Sequence, residues 1–145
     1  MTARGPLVAD TGGLLRALAR NRDGEATWPA FEAALTAASR VVVPSAILPE
    51  IDYFLQSDRP AMRRFVAELF DPRTTYSHET VTPSDVVRAL HLDARFASLQ
   101  IGLVDGAVAA VAERLAIDRV LTTDRRDFGA LRVGPRLDRA LEIVP

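Results

Sequence analysis

Leu7-Val8-Ala9-Asp10-Thr11 is the stretch on which the fold turns: an apolar run that stops at an acid, with Gly12-Gly13-Leu14-Leu15 behind it. A short apolar run bounded by turn signals reads as a buried strand, and an aspartate leading into leucines reads as a helix start. Three more stretches place an acid where an apolar run ends. They are Val43-Pro44-Ser45 running into Pro49-Glu50-Ile51, Leu103-Val104-Asp105-Gly106, and Val120-Leu121-Thr122-Thr123-Asp124. In a parallel sheet every strand opens into its loop at the same carboxyl edge, so acids remote in sequence meet in one crevice. Carboxylates gathered with little cationic company bind hard cations. Metal-assisted chemistry on a phosphate is the reading that follows.

Outward from these stretches, strand and helix alternate along the chain. Leu7 to Asp10 predicts a strand, followed by a helix carrying Leu14, Leu15 and Leu18. Phe31, Leu35 and Ala38 recur at helical spacing ahead of the strand Val41-Val42-Val43, and Ile47, Ile51, Phe54 and Leu55 predict a helix from about Ser45. Met62, Phe65, Val66, Leu69 and Phe70 form a one-sided helical stripe with Asp58 as cap and Pro60 in its first turn. A third strand falls near Thr75 to Val81. Thr82-Pro83-Ser84-Asp85 has the form of a capping box opening a helix through Val86, Leu90 and Ala97. Val108, Val111, Ala112 and Leu115 line a helix starting at Asp105 or Gly106, Arg119 to Thr123 reads as a strand, and Ala140 to Val144 as a last, edge strand. Residues 127–139, with Gly129, Gly134 and Pro135, read as loop. The alternation implies α/β layering around a mostly parallel sheet of about five short strands.

Length and composition bound the function. The 145 residues, 48% of them apolar, suit one domain spanning 1–145 with a single core. The longest apolar stretches, such as Ala107 to Ala112, fall well short of the roughly 18 residues of a membrane helix. Thr2-Ala3-Arg4-Gly5-Pro6 carries no leader pattern, so a soluble, cytoplasmic protein away from membranes is expected. Without cysteine there is no disulfide framework, thiolate metal site or cysteine nucleophile. All 18 basic residues are arginine. A Walker-type nucleotide site needs a lysine on the phosphates, so that chemistry is excluded.

The acids have a plainer reading. Asp10, Asp105 and Asp124 all stand where a helix wants an N-cap, and aspartate is among the best caps, contributing roughly 1 kcal/mol. Taken singly, a cap is the commoner use of such a residue. Glu50 fits that account poorly, because it lies inside its helix in an apolar neighbourhood, with Asp52 close enough to compete for its role. The joint pattern favours a site.

The order Val-Ala-Asp-Thr-Gly-Gly-Leu-Leu (8–15), Pro-Ser-Ala-Ile-Leu-Pro-Glu-Ile-Asp-Tyr-Phe-Leu (44–55), Gly-Leu-Val-Asp-Gly-Ala-Val-Ala (102–109) and Leu-Thr-Thr-Asp-Arg-Arg-Asp-Phe (121–128) resembles the PIN-domain ribonucleases, and more narrowly the VapC toxins of type II toxin-antitoxin systems. The resemblance runs over nearly the whole chain and implies a single PIN-like domain. It assigns the invariant acids to Asp10, Glu50, Asp105 and Asp124, a further acid to Asp127, and the neighbouring hydroxyls to Thr11 and Thr123. The family's spacing from Pro44 favours Glu50 over Asp52. Gly106 is a departure, since the family often has alanine there.

The implied chemistry is metal-dependent RNA hydrolysis. Mg²⁺ or Mn²⁺ prefers oxygen ligands. One or two ions would bind Asp10, Asp105 and Asp124, with Glu50 or Asp127 orienting a coordinated water for attack on the scissile phosphorus. His78 and His91 lie outside every motif. RNA also needs positive charge: Arg125 and Arg126 could grip the flanking phosphates, and Arg16, Arg20 and Arg22 could line the groove mouth. The resemblance further implies a cognate antitoxin entering the acidic groove and a homodimer or heteromeric complex with that antitoxin, with Tyr53, Phe54 and Phe70 as candidate exposed contacts. Two alternatives stay open at this point: a PIN-like protein that binds RNA without cutting it, and a metal-dependent phosphatase acting on small molecules.

Overall fold

The computed structural model describes residues 4–145; Met1, Thr2 and Ala3, the last two from the stretch Thr2 to Pro6 read above, lie outside the described residues. Five strands form one parallel sheet: β1 (Pro6–Ala9), β2 (Arg40–Pro44), β3 (Tyr76–Glu79), β4 (Arg119–Leu121) and, numbered in chain order after the short pair β5 (Arg132–Val133) and β6 (Arg139–Ala140), β7 (Glu142–Val144). The spatial order is β3-β2-β1-β4-β7, with Val8 opposite both Val42 and Val120. The chain winds from β1 outward to β3, then returns to the far side of β1 with β4. A crevice opens where the winding reverses, at the carboxyl ends of β1 and β4. Asp10 and Asp124 stand at that point.

Helices cover the sheet: α1 (Thr11–Leu18) and α2 (Pro29–Ala37) after β1, α3 (Leu48–Phe54) and α4 (Arg59–Leu69) after β2, α5 (Pro83–Arg95) and α6 (Gly102–Leu115) after β3, and α7 (Arg125–Ala130) after β4. Apolar β-branched and leucine side chains drive this layering, each fully buried one contributing about 1.5–3 kcal/mol. Leu7, Val8, Val41, Val42, Val43, Val120 and Leu121 are buried from both faces of the sheet, as parallel strands require. Residues 106–112 of α6 are also buried, making it the central helix. Two glycines set close approaches. A Cβ at Gly13 would sit 2.2 Å from the Leu121 carbonyl oxygen, so only glycine lets α1 settle over the end of β4. A Cβ at Gly106 would meet the Ala89 carbonyl oxygen at 2.8 Å, which gives the departure from alanine there a packing reason: α5 lies against α6.

The expected elements are present, with three corrections. The sixth helix begins at Gly102, three residues before Asp105, because the chain reverses at Gln100 (φ 52°) and can helix at once. Residues 127–139 are only partly loop: Asp124 caps α7, which runs to Ala130, and β5 pairs antiparallel with β6 across a turn at residues 134–138. On α5 the inward residues are Asp85, Ala89 and Leu92, while Val86 and Leu90 face solvent and the helix ends before Ala97. Arg114 meets that inward face, holding Asp85 through bonds of 3.0 and 2.9 Å to its two carboxylate oxygens and Glu79 at 2.8 Å. Phe70, one of the candidate exposed contacts, does lie outside the core, 58% exposed and edge-on to His78. The capping box of Thr82 and Asp85 forms as the sequence predicts.

Candidate metal centre

Asp10 leaves β1 through its backbone N–H, which donates to the Leu121 carbonyl at 2.9 Å and so locks the ends of β1 and β4 together. It occupies the N-cap position of α1 but makes no capping bond. Its carboxylate is buried and instead accepts a 2.8 Å hydrogen bond from the Thr122 hydroxyl. The Thr122 oxygen in turn accepts the backbone N–H of Asp124 at 3.0 Å. One buried hydroxyl therefore fixes two acids.

Asp105 lies on the first turns of α6, past the cap, and helix capping does not account for it. One carboxylate oxygen from each of Asp105, Asp124 and Asp127 lies within 4.8 Å of the others. Asp124 does cap α7, accepting from the Asp127 backbone N–H at 2.9 Å, so it serves both readings at once. Asp127 thereby joins the group from the first turn of α7.

Glu50 reaches the same region from α3, where Thr11 Oγ1 donates to its carboxylate. Asp52 sits about 200° further around that helix. It points away and pairs with Arg59 at 2.6 Å. The structure therefore brings Asp10, Glu50, Asp105, Asp124 and Asp127 to one edge and leaves Asp52 out.

The electrostatics record the crowding. Burial first, and then the charges of Asp10, Asp124, Glu50 and Asp127, together push the Asp105 carboxyl up to about 7. Burial also raises Asp10, against the lowering effect of its bond from Thr122. Asp127 is raised by desolvation and by the neighbouring Asp124 charge. Among the described residues none of the five acids is in an ion pair. Five uncompensated carboxylates offering only oxygen fit a hard divalent cation such as Mg²⁺ or Mn²⁺, and they fit a thiophilic metal poorly.

The hydroxyls and arginines divide differently from expectation. Thr11 touches the site through Glu50, but Thr123 is exposed and lies over Gly12, where a Cβ would come 2.5 Å from its Oγ1. Thr122, which sequence reasoning passed over, is the hydroxyl bonded to Asp10. Its place directly after β4 carries the signal, since β4 neighbours β1, which ends beside Asp10. Arg125 donates to the Pro145 carbonyl and ties α7 to the end of β7, whereas Arg126 is exposed beside Asp127. Arg16 lies over the Trp28 ring at 4.1 Å, Arg20 pairs with Glu32, and Arg22 is exposed.

The sequence profile of the family described as PIN domain matches residues 7–133, a span that contains all five acids. Among solved structures the fold is similar to that of VapC20 of Mycobacterium tuberculosis, described as a sarcin-ricin loop cleaving toxin. The TM-score is 0.67 at 18% identity, over 83% of this chain and 92% of that one. No curated protein sequence is significantly similar to the chain.

Proposed function

We propose that this chain, which belongs to the PIN domain family, is a divalent-metal-dependent endoribonuclease and the toxin of a toxin-antitoxin pair. The observation that carries the reading is the meeting of Asp105, Asp124 and Asp127 within 4.8 Å, with Asp10 and Glu50 alongside and, among the described residues, none of the five in an ion pair. Mg²⁺ or Mn²⁺ bound there would acidify a water and offset the charge that develops on the scissile phosphate.

The protein's own groups do the rest. Asp105, Asp124 and Asp127 offer the converging oxygens, and Thr122 holds Asp10 in a single orientation beside them. Glu50, held by Thr11, or Asp127 would orient the attacking water. Arg126 contributes positive charge to flanking phosphates, a role Arg125 shares less freely because the end of β7 occupies its guanidinium.

A groove of about 390 Å³ between α1 and α4, lined by Leu15, Leu18, Leu55, Phe65, Arg20 and Arg64, supports a protein partner such as an antitoxin. Among the described residues no helix is long and apolar enough to cross a membrane.

The test is incubation of the purified protein with total RNA and with intact ribosomes, in Mg²⁺, in Mn²⁺ and in excess chelator, followed by mapping of the ends. Ribosomes are included because the structural neighbour is described as cutting the sarcin-ricin loop. Discrete cuts leaving a 5′-phosphate and a 3′-hydroxyl, present with either metal and abolished by chelator, are expected. Undiminished cutting in chelator would overturn the mechanism.

A further inference from the structure

Attack of a metal-activated water on phosphorus uses no part of the ribose, so that chemistry by itself cuts RNA and DNA alike. A preference for RNA has to come from a contact with the sugar. The ribose 2′-hydroxyl both donates and accepts, and a side chain that matches it does the same. An ionised carboxylate only accepts and an arginine only donates, so the five acids and Arg126 match it poorly.

Three threonine hydroxyls adjoin the acids, and two of them are occupied. Thr11 Oγ1 donates to Glu50, while Thr122 Oγ1 donates to Asp10 and accepts from the Asp124 backbone N–H. Thr123 is exposed, and among the described residues its hydroxyl has no hydrogen-bond partner. Its place is nevertheless fixed from two sides. It directly precedes Asp124, one of whose carboxylate oxygens lies within 4.8 Å of those of Asp105 and Asp127. On the other side it rests on Gly12, two residues beyond Asp10, where a Cβ would come 2.5 Å from its Oγ1. Only a residue without a side chain leaves that space to the hydroxyl.

We propose that the Thr123 hydroxyl reads the ribose 2′-hydroxyl of a nucleotide adjoining the scissile phosphate, and so sets the preference for RNA over DNA. The proposal rests on the nuclease reading. Thr123 stands between the first turns of α1 and α7, and its Cα is about 3.8 Å from that of Asp124. A sugar attached to a phosphate held at the acids therefore comes within reach of its side chain. The contact faces solvent, so its effect is modest: one neutral hydrogen bond changes a rate about fivefold.

The experiment is a double-mutant cycle with one partner in the protein and the other in the RNA. A short synthetic RNA spanning a mapped cut is made with ribose throughout and with a single 2′-deoxy residue at each successive position around the cut. Cleavage in Mn²⁺ is then measured as kcat/KM for the wild type, Thr123→Val and Thr123→Ser. The wild type should lose about fivefold at one deoxy position adjoining the cut. Thr123→Val keeps the shape and removes the hydroxyl. It should lose about as much on the all-ribose RNA and nothing further on that deoxy RNA, whereas Thr123→Ser should discriminate as the wild type does. Both variants should keep the wild-type Mn²⁺ affinity and metal-free melting temperature. A deoxy penalty undiminished in the valine variant, or absent from the wild type at every position adjoining the cut, would overturn the proposal and leave the nuclease reading intact. Weakened Mn²⁺ binding by the valine variant would assign Thr123 to the support of the metal and overturn the proposal equally. No RNA cut by the wild type with either metal would overturn both.

Discussion

Thr122 donates a 2.8 Å hydrogen bond to Asp10 across 112 residues of chain, and the same hydroxyl receives the Asp124 backbone N–H. It thereby couples the ends of β1 and β4 at the point where the sheet reverses its winding. Removing the hydroxyl would leave a buried carboxylate and a backbone N–H without their partner, each costing roughly 1–3 kcal/mol. Thr122→Val should therefore lower the melting temperature and weaken Mn²⁺ binding at least about tenfold, as loss of an outer-shell partner does. Thr122→Ser should restore both. Calorimetric titration with Mn²⁺ on the three proteins makes the check, and full Mn²⁺ affinity in the valine variant would remove Thr122 from the site.

Asp105→Asn separates a binding site from local helix chemistry. Carboxylate charges about 5 Å apart repel by roughly 3 kcal/mol at an effective dielectric near 20. Asp105 has no capping bond to lose. The substitution should raise the metal-free melting temperature, abolish RNA cleavage and shrink the stabilisation provided by added Mn²⁺. Thermal melts with chelator and with Mn²⁺ read all but the cleavage. Unchanged melting in both conditions would show that Asp105 does not belong to a metal site.

The pH dependence has a definite sign. Because the folded-state Asp105 carboxyl is raised to about 7 from an ordinary value of 3.8, the folded protein holds a proton there that the unfolded chain has lost. This contribution to stability is greatest at the acid end of that interval and declines as pH rises through about 7. Metal-free protein should therefore melt at a lower temperature at pH 8 than at pH 5.5, and Asp105→Asn should flatten the difference. Mn²⁺ binding should run the other way, tightening as pH rises and the proton leaves. A metal-free melting temperature that climbs between pH 5.5 and 8 would contradict the crowded-carboxylate account.

Arg125 and Arg126 should part company. Arg126→Ala should lower the salt dependence of RNA binding by about one counterion, the signature of a lost phosphate contact. Arg125→Ala should chiefly loosen α7 against β7 and lower the melting temperature, since its guanidinium is already engaged with the Pro145 carbonyl. Salt titrations of RNA affinity, paired with melts, distinguish the two. An identical salt slope in wild type and Arg126→Ala would return Arg126 to the ordinary surface.

Gly106→Ala tests the packing of α5 on α6. The added methyl would meet the Ala89 carbonyl oxygen at 2.8 Å, so the helices must separate. Overpacking of this kind costs about 1–3 kcal/mol, more than alanine's helix propensity returns. A melting temperature at or above that of the wild type would mean the helices accommodate the methyl freely.

By itself the sequence determined the layering, the order of strands and helices, and the candidate acids, because those depend on local quantities: apolar run length, helical periodicity and the chemistry of Asp58 or Thr82 at a helix start. It could not determine which side chains converge. Asp105 looked like a cap from its place after Leu103-Val104, and only the chain reversal at Gln100 moved the helix start ahead of it. Glu50 and Asp52 were separable only once α3 had a direction relative to the sheet, after which one meets Thr11 and the other Arg59. Thr122 rather than Thr123 reaches Asp10 because β1 and β4, distant in the chain, are neighbours in the sheet. On the inward face of α5, Asp85 is buried and paired with Arg114 of another helix, while Val86 and Leu90 stay exposed. In each case the deciding interaction joins residues far apart in sequence, and hydrophobic periodicity holds no record of such a pairing.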